Sequence, residues 1–412
     1  MRVRKSICIL AFSPVARDGR VLRQIEYLVP LFDLTVIGYG PAHPAWVNRP
    51  HIRWVSLPEP PPIGDIAKAW RARDLGRLRT VLGSAARRGA FRLSLYPGKL
   101  WPAIYSFGYR LRWIFMPELN RALAQRYDAY HANDWDTLLL AAQAAKRDGA
   151  RLVVDLHEYA PLEYENRPNW WLREPMLRYM LRTYATQADA VTTVAPLIAQ
   201  RYEQEFDFAP MVVLNAPPKI ALPPKTLNPQ NIRLIHHGIA SPVRRPELML
   251  KALALCEPRY TLHFMFVHSD YVEELKALAE RLTPGRVFFH DPVPPEKIVE
   301  RIAAFDVGFN VIAPTNYNYA YALPNKFFES IVAGLAVYIG PSAQMQRYVE
   351  RYGFGCTAPS FAPRDLAATL NRVTADEWVR MQQAARQAAQ ELHAAAEMAK
   401  VVQLYRRLFE ER

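Results

Sequence analysis

The sequence predicts an α/β protein with two domains, each built on a parallel β-sheet. Three observations carry this prediction. The chain opens with a β-α-β pattern, a proline-rich stretch interrupts it near the middle, and the same alternation of strands and helices then starts again. A chain of 412 residues is long enough for two hydrophobic cores. Because parallel sheets bind ligands at the carboxyl ends of their strands, functional residues are expected at those edges.

The composition is typical of a soluble globular protein, with 50% apolar and 22% charged residues. The cysteines, Cys8, Cys256 and Cys356, are far apart and lack metal or redox spacing, which favours a reduced, cytoplasmic protein. No apolar run is long enough to span a membrane. The first residues resemble a signal peptide, but their short apolar run ends at Ser13-Pro14, and a first buried strand explains it better.

The first half of the chain predicts strands separated by helices. Residues 6–12 and Leu34–Tyr39 are predicted as strands, and Asp18 is predicted to cap the helix between them. Gly19 lies where a backbone could approach a phosphate or sugar, but it is a single glycine rather than a GxGxxG motif, and from the sequence alone a plain turn is the better explanation. The further predicted elements are the strands Tyr127–His131, Leu152–Leu156, Asp189–Thr193 and Met211–Leu214, and the helix Thr137–Lys146.

A histidine and a glutamate follow one of these strands directly. His157 and Glu158 stand at the carboxyl end of Leu152–Leu156, the predicted ligand-binding edge. His157 is therefore the first functional candidate among the histidines, and His131, at the end of the neighbouring strand, is the second. A lone histidine is also often structural, and both interpretations stay open.

A proline-rich stretch, residues 216–230, separates the two halves and predicts a semi-rigid linker. The predicted domains are 1–218 and 219–394, and the C-terminal helix, about 395–412, is predicted to pack back on the first domain. The elements predicted in the second half are the strands Ile232–His236, His263–Val267, Val287–Phe289 and Val307–Val311, and the helices Glu247–Leu255, Ile298–Phe305 and 376–411.

The stretch Tyr321–Gly334, YALPNKFFESIVAG, predicts a helix that has Pro324 in its first turn and stops at the final glycine. Opposite its apolar face, Asn325, Lys326 and Glu329 lie close together, since residues three and four apart are neighbours on a helix. No side chain before the helix can cap it, so its free N–H groups favour an anion such as phosphate. An ordinary buried helix with a solvated polar edge explains the pattern equally well.

Two pairs of adjacent residues in the second half have side chains that can bind ligands. Arg244 and Arg245 follow a predicted strand-to-loop transition, where a guanidinium can clamp a diphosphate. Surface arginines near a helix start are the ordinary alternative. His236 and His237 are expected on opposite faces of a strand, with no carboxylate spaced to assist them, so no metal site is predicted there.

The net charge of +13 is concentrated in one segment, because residues 68–112 contain eleven basic residues and one acidic residue. A basic amphipathic helix with interleaved aromatic residues fits an anionic membrane, so peripheral contact through 66–115 is predicted. The alternative is a solvated helix whose aromatic residues belong to the core. Nucleic acid would also match the charge, but no zinc-finger, RRM or KH signature accompanies it, and no nucleic-acid partner is predicted.

Motifs along most of the chain resemble those of glycosyltransferase family 4 in their expected order. They include YHANDWDTLLLAA, LVVDLHEYAP, VVLNAPP, RLIHHGI and LPNKFFESIVAG, and the resemblance covers roughly residues 5–412 apart from 60–120. It implies the GT-B fold, two Rossmann-like domains with parallel sheets facing a central cleft. It also implies a retaining transferase that moves a sugar from a nucleotide sugar to an acceptor hydroxyl, with no cofactor and no metal expected.

The resemblance assigns roles to several of these residues. Glu329 matches the second glutamate of a two-glutamate pattern in the family and is implied to bind the nucleotide ribose. Arg244, with Lys326 or Arg245 as its companion, is implied to neutralise the diphosphate. His157 is implied to contact the donor sugar near the reacting carbon.

Two departures from the family pattern leave the donor open. The first glutamate of the pattern is replaced by Tyr321, and the usual arginine after Gly238 is replaced by Ile239. The complete set of candidates is His157, Arg244 and Lys326 for catalysis, Gly19, Glu329, Asn325, Tyr321, Arg245 and Gly238 for donor binding, and Asp18, Glu158 and Asp134 on the acceptor side.

The resemblance implies work in the assembly of cell-surface polysaccharide or glycolipid, in the cytoplasm or at the inner face of the cell membrane. The implied partners are a nucleotide sugar and an acceptor glycan or lipid-linked saccharide. One alternative is a nucleotide-sugar epimerase of the same fold, which needs no acceptor. Another is a non-catalytic protein that binds sugar nucleotides, an interpretation that the departure at Tyr321 favours.

Overall fold

A computed structural model of the chain describes residues 4–59, 72, 75–111, 113, 116–163, 165–223 and 225–411. The chain divides into two compact units. Unit 1 consists of Met1–Thr193, Ala199–Val212 and Val401–Arg412, and unit 2 of Val194–Ile198 and Val213–Lys400. The sequence-based boundary lies a few residues later, at 218–219.

Unit 1 contains a seven-stranded parallel sheet with the strand order β3-β2-β1-β4-β5-β6-β7. The order reverses between β1 and β4, as in a Rossmann fold, and ligands bind at such a reversal. Among these strands, only β3 lacks a sequence prediction, although Ile52, Trp54 and Val55 are residue types that favour strands. The strands are β1 Ser6–Ala11, β2 Asp33–Tyr39, β3 Ile52–Leu57, β4 Ala129–Asn133, β5 Arg151–Leu156, β6 Ala190–Thr193 and β7 Met211–Val212.

The helices between these strands begin and end where local signals place them. As predicted, Asp18 caps the first helix, since its side chain accepts hydrogen bonds from the N–H groups of Arg20 and Val21. Gly149 ends the fifth helix with a φ of +61°. The helices are α1 Gly19–Leu28, α2 Leu75–Gly98, α3 Ala103–Leu111, α4 Pro117–Leu123, α5 Trp135–Asp148, α6 Trp170–Tyr184 and α7 Pro196–Glu205, the last of which begins in unit 2.

The basic segment 66–115 forms two helices, α2 and α3, in its described part, and residues 66–71, 73–74, 112 and 114–115 lie outside the described residues. Leu82, in the described part of α2, is 48% exposed. The aromatic residues divide between core and surface. Phe91, Tyr105, Tyr109 and Trp113 are buried, whereas Tyr96, Trp101 and Phe107 are exposed.

Unit 2 contains a six-stranded parallel sheet with the order β10-β9-β8-β11-β12-β13, which repeats the strand order of unit 1 and reverses between β8 and β11. The strands are β8 Ile232–Ile239, β9 Tyr260–Val267, β10 Val287–His290, β11 Val307–Asn310, β12 Ala336–Ile339 and β13 Gly355–Thr357. The helices are α8 Glu247–Leu253, α9 Asp270–Leu282, α10 Ile298–Ile302, α11 Tyr317–Tyr321, α12 Asn325–Val332, α13 Ala343–Tyr352, α14 Pro363–Arg372, α15 Ala375–Ala388 and α16 Ala394–Glu410.

The single helix predicted over 376–411 is broken between α15 and α16. The backbone N–H of Ala394 donates to the carbonyl of Pro217, which is distant in sequence. The His393 ring accepts a hydrogen bond from the N–H of Ala396. Both contacts satisfy amides that a continuous helix would have used internally, so a tertiary contact decides where the helix stops.

The last residues of α16, from Val401 onward, belong to unit 1. Tyr405 is fully buried there, with its hydroxyl 2.7 Å from Nδ1 of His131, and its ring packs on Phe32. In the part of the chain that the structure describes, no helix combines the length and apolar character needed to cross a membrane.

Candidate functional site

A buried ionic cluster lies at the carboxyl end of β5 in unit 1. Both oxygens of the fully buried Asp155 carboxylate accept from the guanidinium of Arg20, Oδ2 from Nε at 2.7 Å and Oδ1 from Nη2 at 2.6 Å. Gln24 and Thr192 donate to the same carboxylate at 2.7 and 2.6 Å. Burial opposes the charge, but Arg20 and the nearby His157 hold the pKa of Asp155 well below its usual range.

His157 adds its ring to this cluster. Its Nε2 lies 3.3 Å from Oδ2 of Asp155, and its Nδ1 lies 4.0 Å from Oδ2 of Asp134. Burial favours the neutral ring, but the carboxylates of Asp155 and Asp134 outweigh it and raise the pKa of His157 to about 9. His157 is therefore a cation at neutral pH, and it acts as a hydrogen-bond donor rather than as a base.

Asp134 has a backbone conformation that non-glycine residues rarely adopt. Its φ of 68° and ψ of 166° fall in a region used almost solely by glycine, at a cost of roughly 1–3 kcal/mol. Its N–H donates to the carbonyl of Asp155 at 2.8 Å, and its Oδ1 accepts from the N–H of Trp135. Burial raises the pKa of Asp134, against the opposing charge of His157. These contacts aim the carboxylate at the His157 ring.

The other candidates in unit 1 have mainly structural contacts. Asp18 caps α1 and accepts from the hydroxyl of Ser13 at 2.8 Å. Gly19 is the first residue of α1. Glu158 is exposed, and its carbonyl accepts from the hydroxyl of Tyr202. His131 is 1% exposed, and burial lowers its pKa to about 4, so it is a neutral core histidine.

In unit 2, α12 is the helix that the stretch Tyr321–Gly334 predicts. Pro324 occupies its N-cap position, and no side chain caps the helix there. The predicted apolar face is buried, and Gly334 follows the helix with a φ of +68°. The N-terminal N–H groups of α12 therefore have no side-chain partner of the capping type.

Lys326, in the first turn of α12, is buried rather than on a solvated edge, with 6% of its surface exposed. Its Nζ lies 2.9 Å from Nε2 of His236, and Nδ1 of that histidine lies 2.7 Å from the carbonyl of Phe309. A carbonyl only accepts, so Nδ1 carries the proton, and Nε2 accepts from Lys326. Burial holds the pKa of His236 well below its usual range, and the charge of Lys326 adds to this effect.

Lys326 has a neutral partner in place of a carboxylate. Among residues 4–59, 72, 75–111, 113, 116–163, 165–223 and 225–411, no carboxylate forms an ion pair with it. Burial, followed by the charge of Arg244, lowers the pKa of Lys326 to about 7, while Glu329 opposes the shift. A buried cation without a paired anion is costly, and a bound anion would relieve that cost.

Glu329 lies one turn after the start of α12 and contacts His237, where no metal site is predicted from the sequence. Its Oε2 is 2.6 Å from Nε2 of His237. The expectation that no carboxylate would approach the His236–His237 pair is therefore wrong, because α12 brings Glu329 back to the end of β8. Within the described residues, no three His, Cys, Asp or Glu side chains are grouped to hold a metal ion.

The two arginines after β8 have different surroundings. The Arg244 guanidinium lies over the Tyr319 ring, 5.7 Å from its centre, and forms no ion pair within the described part of the chain. Arg245 is exposed, with a φ of 53°, and its Nε lies 3.3 Å from Oε1 of Glu247. Of the two suggested companions of Arg244, only Lys326 is therefore without a carboxylate partner.

Gly238 lies beside the buried lysine. Its φ is +110°, which favours glycine, and a Cβ there would lie 3.7 Å from Nζ of Lys326. Ile239, which follows Gly238, is 62% exposed. Asn325 is exposed and accepts from Nδ2 of Asn215 at 2.6 Å, whereas the ring of Tyr321 packs on another tyrosine of α11.

The structure therefore groups the candidates into two clusters, each extended by residues that the sequence had not selected. In unit 1, His157 and Asp134 are joined by Arg20 and Asp155. The signal was present, because a buried aspartate inside the apolar strand LVVDL needs a partner. In unit 2, Lys326, Glu329, Gly238 and Arg244 are joined by His236 and His237, which had been considered only as metal ligands.

The whole chain resembles several solved structures. HepE from Anabaena in complex with UDP-glucose matches with a TM-score of 0.65 and 16% identity, over 97% of this chain and 98% of that one. Sucrose-phosphate synthase from Thermosynechococcus elongatus matches with 0.67 and 15%, over 99% and 100%. WaaG, a glycosyltransferase involved in lipopolysaccharide biosynthesis, matches with 0.58 and 13%, over 96% and 98%. This chain has the GT-B fold.

The family model for Glycosyltransferase Family 4 matches residues 63–216 of this GT-B chain. This match confirms the predicted resemblance to that family. It includes most of the 60–120 stretch, which the motif comparison had wrongly left out, and it ends at residue 216. No curated protein sequence matches the chain. The family match and the GT-B fold together support glycosyltransferase function.

Proposed function

We propose that this chain is a retaining glycosyltransferase whose unit 2 binds a nucleotide-diphosphate sugar. The observation that carries the proposal is Lys326, a buried cation beside the uncapped N-terminus of α12 with a neutral histidine as its partner. A helix N-terminus carries about half a positive charge, so the two features together favour an anion.

A nucleotide diphosphate matches the groups found here: its negative charge suits the two cations, and its ribose suits a carboxylate further along α12. Arg244 is close enough to lower the pKa of Lys326, so a second cation faces the same region. Glu329 lies one turn further along α12, partly exposed, and its carboxylate is fixed by His237. Carboxylates accept hydrogen bonds from sugar hydroxyls, and Glu329 is therefore assigned to the ribose. HepE, whose structure contains UDP-glucose, supports a nucleotide sugar as the ligand class.

In the proposed reaction, the bond between the anomeric carbon and the diphosphate oxygen breaks, and a bond to the acceptor oxygen forms on the same face of the sugar. The acceptor proton passes to the departing phosphate oxygen, so no protein base is needed. Lys326, Arg244 and the helix terminus stabilise the charge that develops on the leaving group. His157 is assigned to the donor sugar, where its positive charge provides a hydrogen-bond donor.

The proposed acceptor is a glycan or lipid-linked saccharide, in the assembly of cell-surface polysaccharide or glycolipid. The likeness to WaaG, described as involved in lipopolysaccharide biosynthesis, supports this part of the proposal.

A panel of nucleotide sugars tests the proposal. Each is added to the full chain, and the rise in melting temperature reports binding to the folded state. We expect one or a few nucleotide sugars to raise the melting temperature, and Lys326→Gln to abolish the rise. Arg245→Gln is the matched control, because it removes an exposed cation that is paired with Glu247.

Product analysis with the donor selected by the panel then separates the remaining functions. Transfer that requires an acceptor and preserves the anomeric configuration supports the proposal. Conversion of the donor without an acceptor would indicate an epimerase. Binding without turnover across a broad set of acceptors would indicate a non-catalytic sugar-nucleotide-binding protein.

A further inference from the structure

The connection between α2 and α3 exposes large apolar side chains close together. We define the hairpin surface as the five of these that lie on α2, on the loop that follows it and on the start of α6. Their exposed fractions are 70% for Leu93, 57% for Tyr96, 91% for Leu100, 74% for Trp101 and 51% for Trp171. Monomeric proteins rarely expose contiguous apolar groups of this size without a partner.

Contacts and spacing connect the members of the hairpin surface. Leu93, Tyr96 and Leu100 follow one another at the spacing of one helix face. The rings of Tyr96 and Trp171 are 6.4 Å apart. Trp171 also lies under Nζ of Lys99, which is 4.1 Å from the ring centre. The end of α2, the loop that follows it and the start of α6 therefore present one surface.

The inner side of the same hairpin is already filled. Phe91, Leu95, Tyr105 and Tyr109 are buried, and a Cβ on Gly98 would lie 2.2 Å from the Tyr105 ring. The apolar residues of the hairpin surface are therefore surplus to the packing of unit 1. Their exposure needs an explanation outside the fold.

The charge of the hairpin indicates the kind of partner. Between Leu75 and Leu111 the sequence contains seven basic residues and no acidic residue. Arg92, Lys99 and Arg110 are exposed, and Lys99 contacts the Trp171 ring. Tryptophan and tyrosine at the boundary, leucine beyond them and basic residues alongside are the combination that binds the surface of an anionic membrane.

We propose that the hairpin surface inserts into the headgroup region of a membrane rich in anionic lipid. Trp101 and Trp171 lie at the interface, Leu93 and Leu100 enter the acyl boundary, and Arg92 and Lys99 contact lipid phosphates. This proposal does not rest on the proposed glycosyl transfer. It replaces the broad 66–115 segment with a defined surface, to which α6 contributes Trp171.

Co-sedimentation of the full chain with lipid vesicles tests the proposal. One set of vesicles contains phosphatidylcholine alone, and the other contains phosphatidylcholine mixed with phosphatidylglycerol. We expect binding to the mixed vesicles only. The double variant Leu100→Ser/Trp101→Ser should lower the partition coefficient by more than about tenfold, because it removes two inserted apolar side chains.

A charge variant separates the electrostatic contribution. Arg92→Gln/Lys99→Gln should lower binding to the mixed vesicles by about tenfold or more, since each basic residue near an anionic surface contributes a factor of about five. The matched control is Val267→Ser/Phe288→Ser in unit 2, which removes two exposed apolar residues, 50% and 44% exposed, outside the hairpin. The control should bind as the wild type does, and unchanged melting temperatures show that all variants fold.

Three results would overturn the proposal. They are the absence of wild-type binding, equal binding to both vesicle types, and wild-type binding by the Leu100→Ser/Trp101→Ser variant. A dimer in gel filtration that this variant dissolves would assign the surface to a second copy of the chain instead. The assay contains no nucleotide sugar, so its failure leaves the proposed glycosyl transfer untouched, and failure of the donor panel leaves the membrane proposal untouched.

Discussion

The N-termini of α1 in unit 1 and α12 in unit 2 are both adjacent to a strand reversal, but they differ in what neutralises them. Asp18 caps α1 with its carboxylate, and the nearby Arg20 is paired with Asp155. No side chain caps α12, and its buried Lys326 faces the neutral His236. Asp18 and Asp155 therefore neutralise these charges in unit 1, whereas no carboxylate among the described residues forms an ion pair with Lys326 in unit 2. This difference is the basis for the diphosphate site that we propose in unit 2.

The largest expected effect comes from removing the buried ion pair between Arg20 and Asp155 in unit 1. Asp155→Asn leaves Arg20 buried without its counter-ion, and we expect the free energy of unfolding to fall by about 3–5 kcal/mol. Urea denaturation measures this change. Glu273→Gln, which removes an exposed ion pair with Lys276, is the control and should change stability by less than about 1 kcal/mol. Equal effects would mean that the buried cluster is not a structural unit.

The charge of His157 makes the stability of the buried cluster in unit 1 depend on pH. Its pKa is raised to about 9 from an unfolded value near 6.5, so its contribution to stability is complete below the unfolded pKa and is lost as the pH rises through the folded pKa. We expect His157→Gln to lower the free energy of unfolding by about 2 kcal/mol at neutral pH, allowing for the partly exposed ring. The gap between variant and wild type should close at about pH 10. A gap that is independent of pH would contradict the assignment of a charged ring.

In unit 2, Arg244→Ala should leave folding intact and impair the proposed glycosyl transfer. We expect kcat/KM to fall by more than about tenfold, a loss above roughly 1.4 kcal/mol of transition-state stabilisation. Arg245→Ala is the control, because its guanidinium is exposed and paired with Glu247. Wild-type kinetics in Arg244→Ala would remove this arginine from the proposed diphosphate site.

The smallest expected effect concerns the capped helix. Asp18→Ala removes the side chain that accepts from the N–H groups of Arg20 and Val21, and should lower the free energy of unfolding by about 1 kcal/mol. Thermal or urea denaturation measures it. An unchanged stability would show that α1 does not depend on its carboxylate cap. The cap would then not distinguish α1 from α12.

Sequence reasoning identified the parts of the fold that depend on local signals. The cap at Asp18, the helix after Pro324 and most strands follow from patterns within a few residues. Arg20 and Asp155 are 135 residues apart, and His237 and Glu329 are 92 apart, so only the folded chain brings them together. Their pairing could not be read from a single sequence.

Burial was the second property that local patterns left undecided. The helical pattern placed Lys326 beside Glu329 on a polar side, but the end of β8 covers that side and buries the lysine against His236. In the basic segment, Tyr105 and Trp101 look alike in sequence, yet one is buried and the other is 74% exposed. The packing of α2 against α3 decides between them.

The pH dependence of donor binding tests the central claim most directly. The affinity of the donor selected by the panel is measured by calorimetry for the wild type and Lys326→Gln, from about pH 6 to pH 8, across the lysine's pKa of about 7. The charged fraction of Lys326 falls as the pH rises, so wild-type affinity should weaken over this range, while the variant should bind weakly throughout. Equal affinities and the same pH dependence in both proteins would show that Lys326 does not hold the diphosphate.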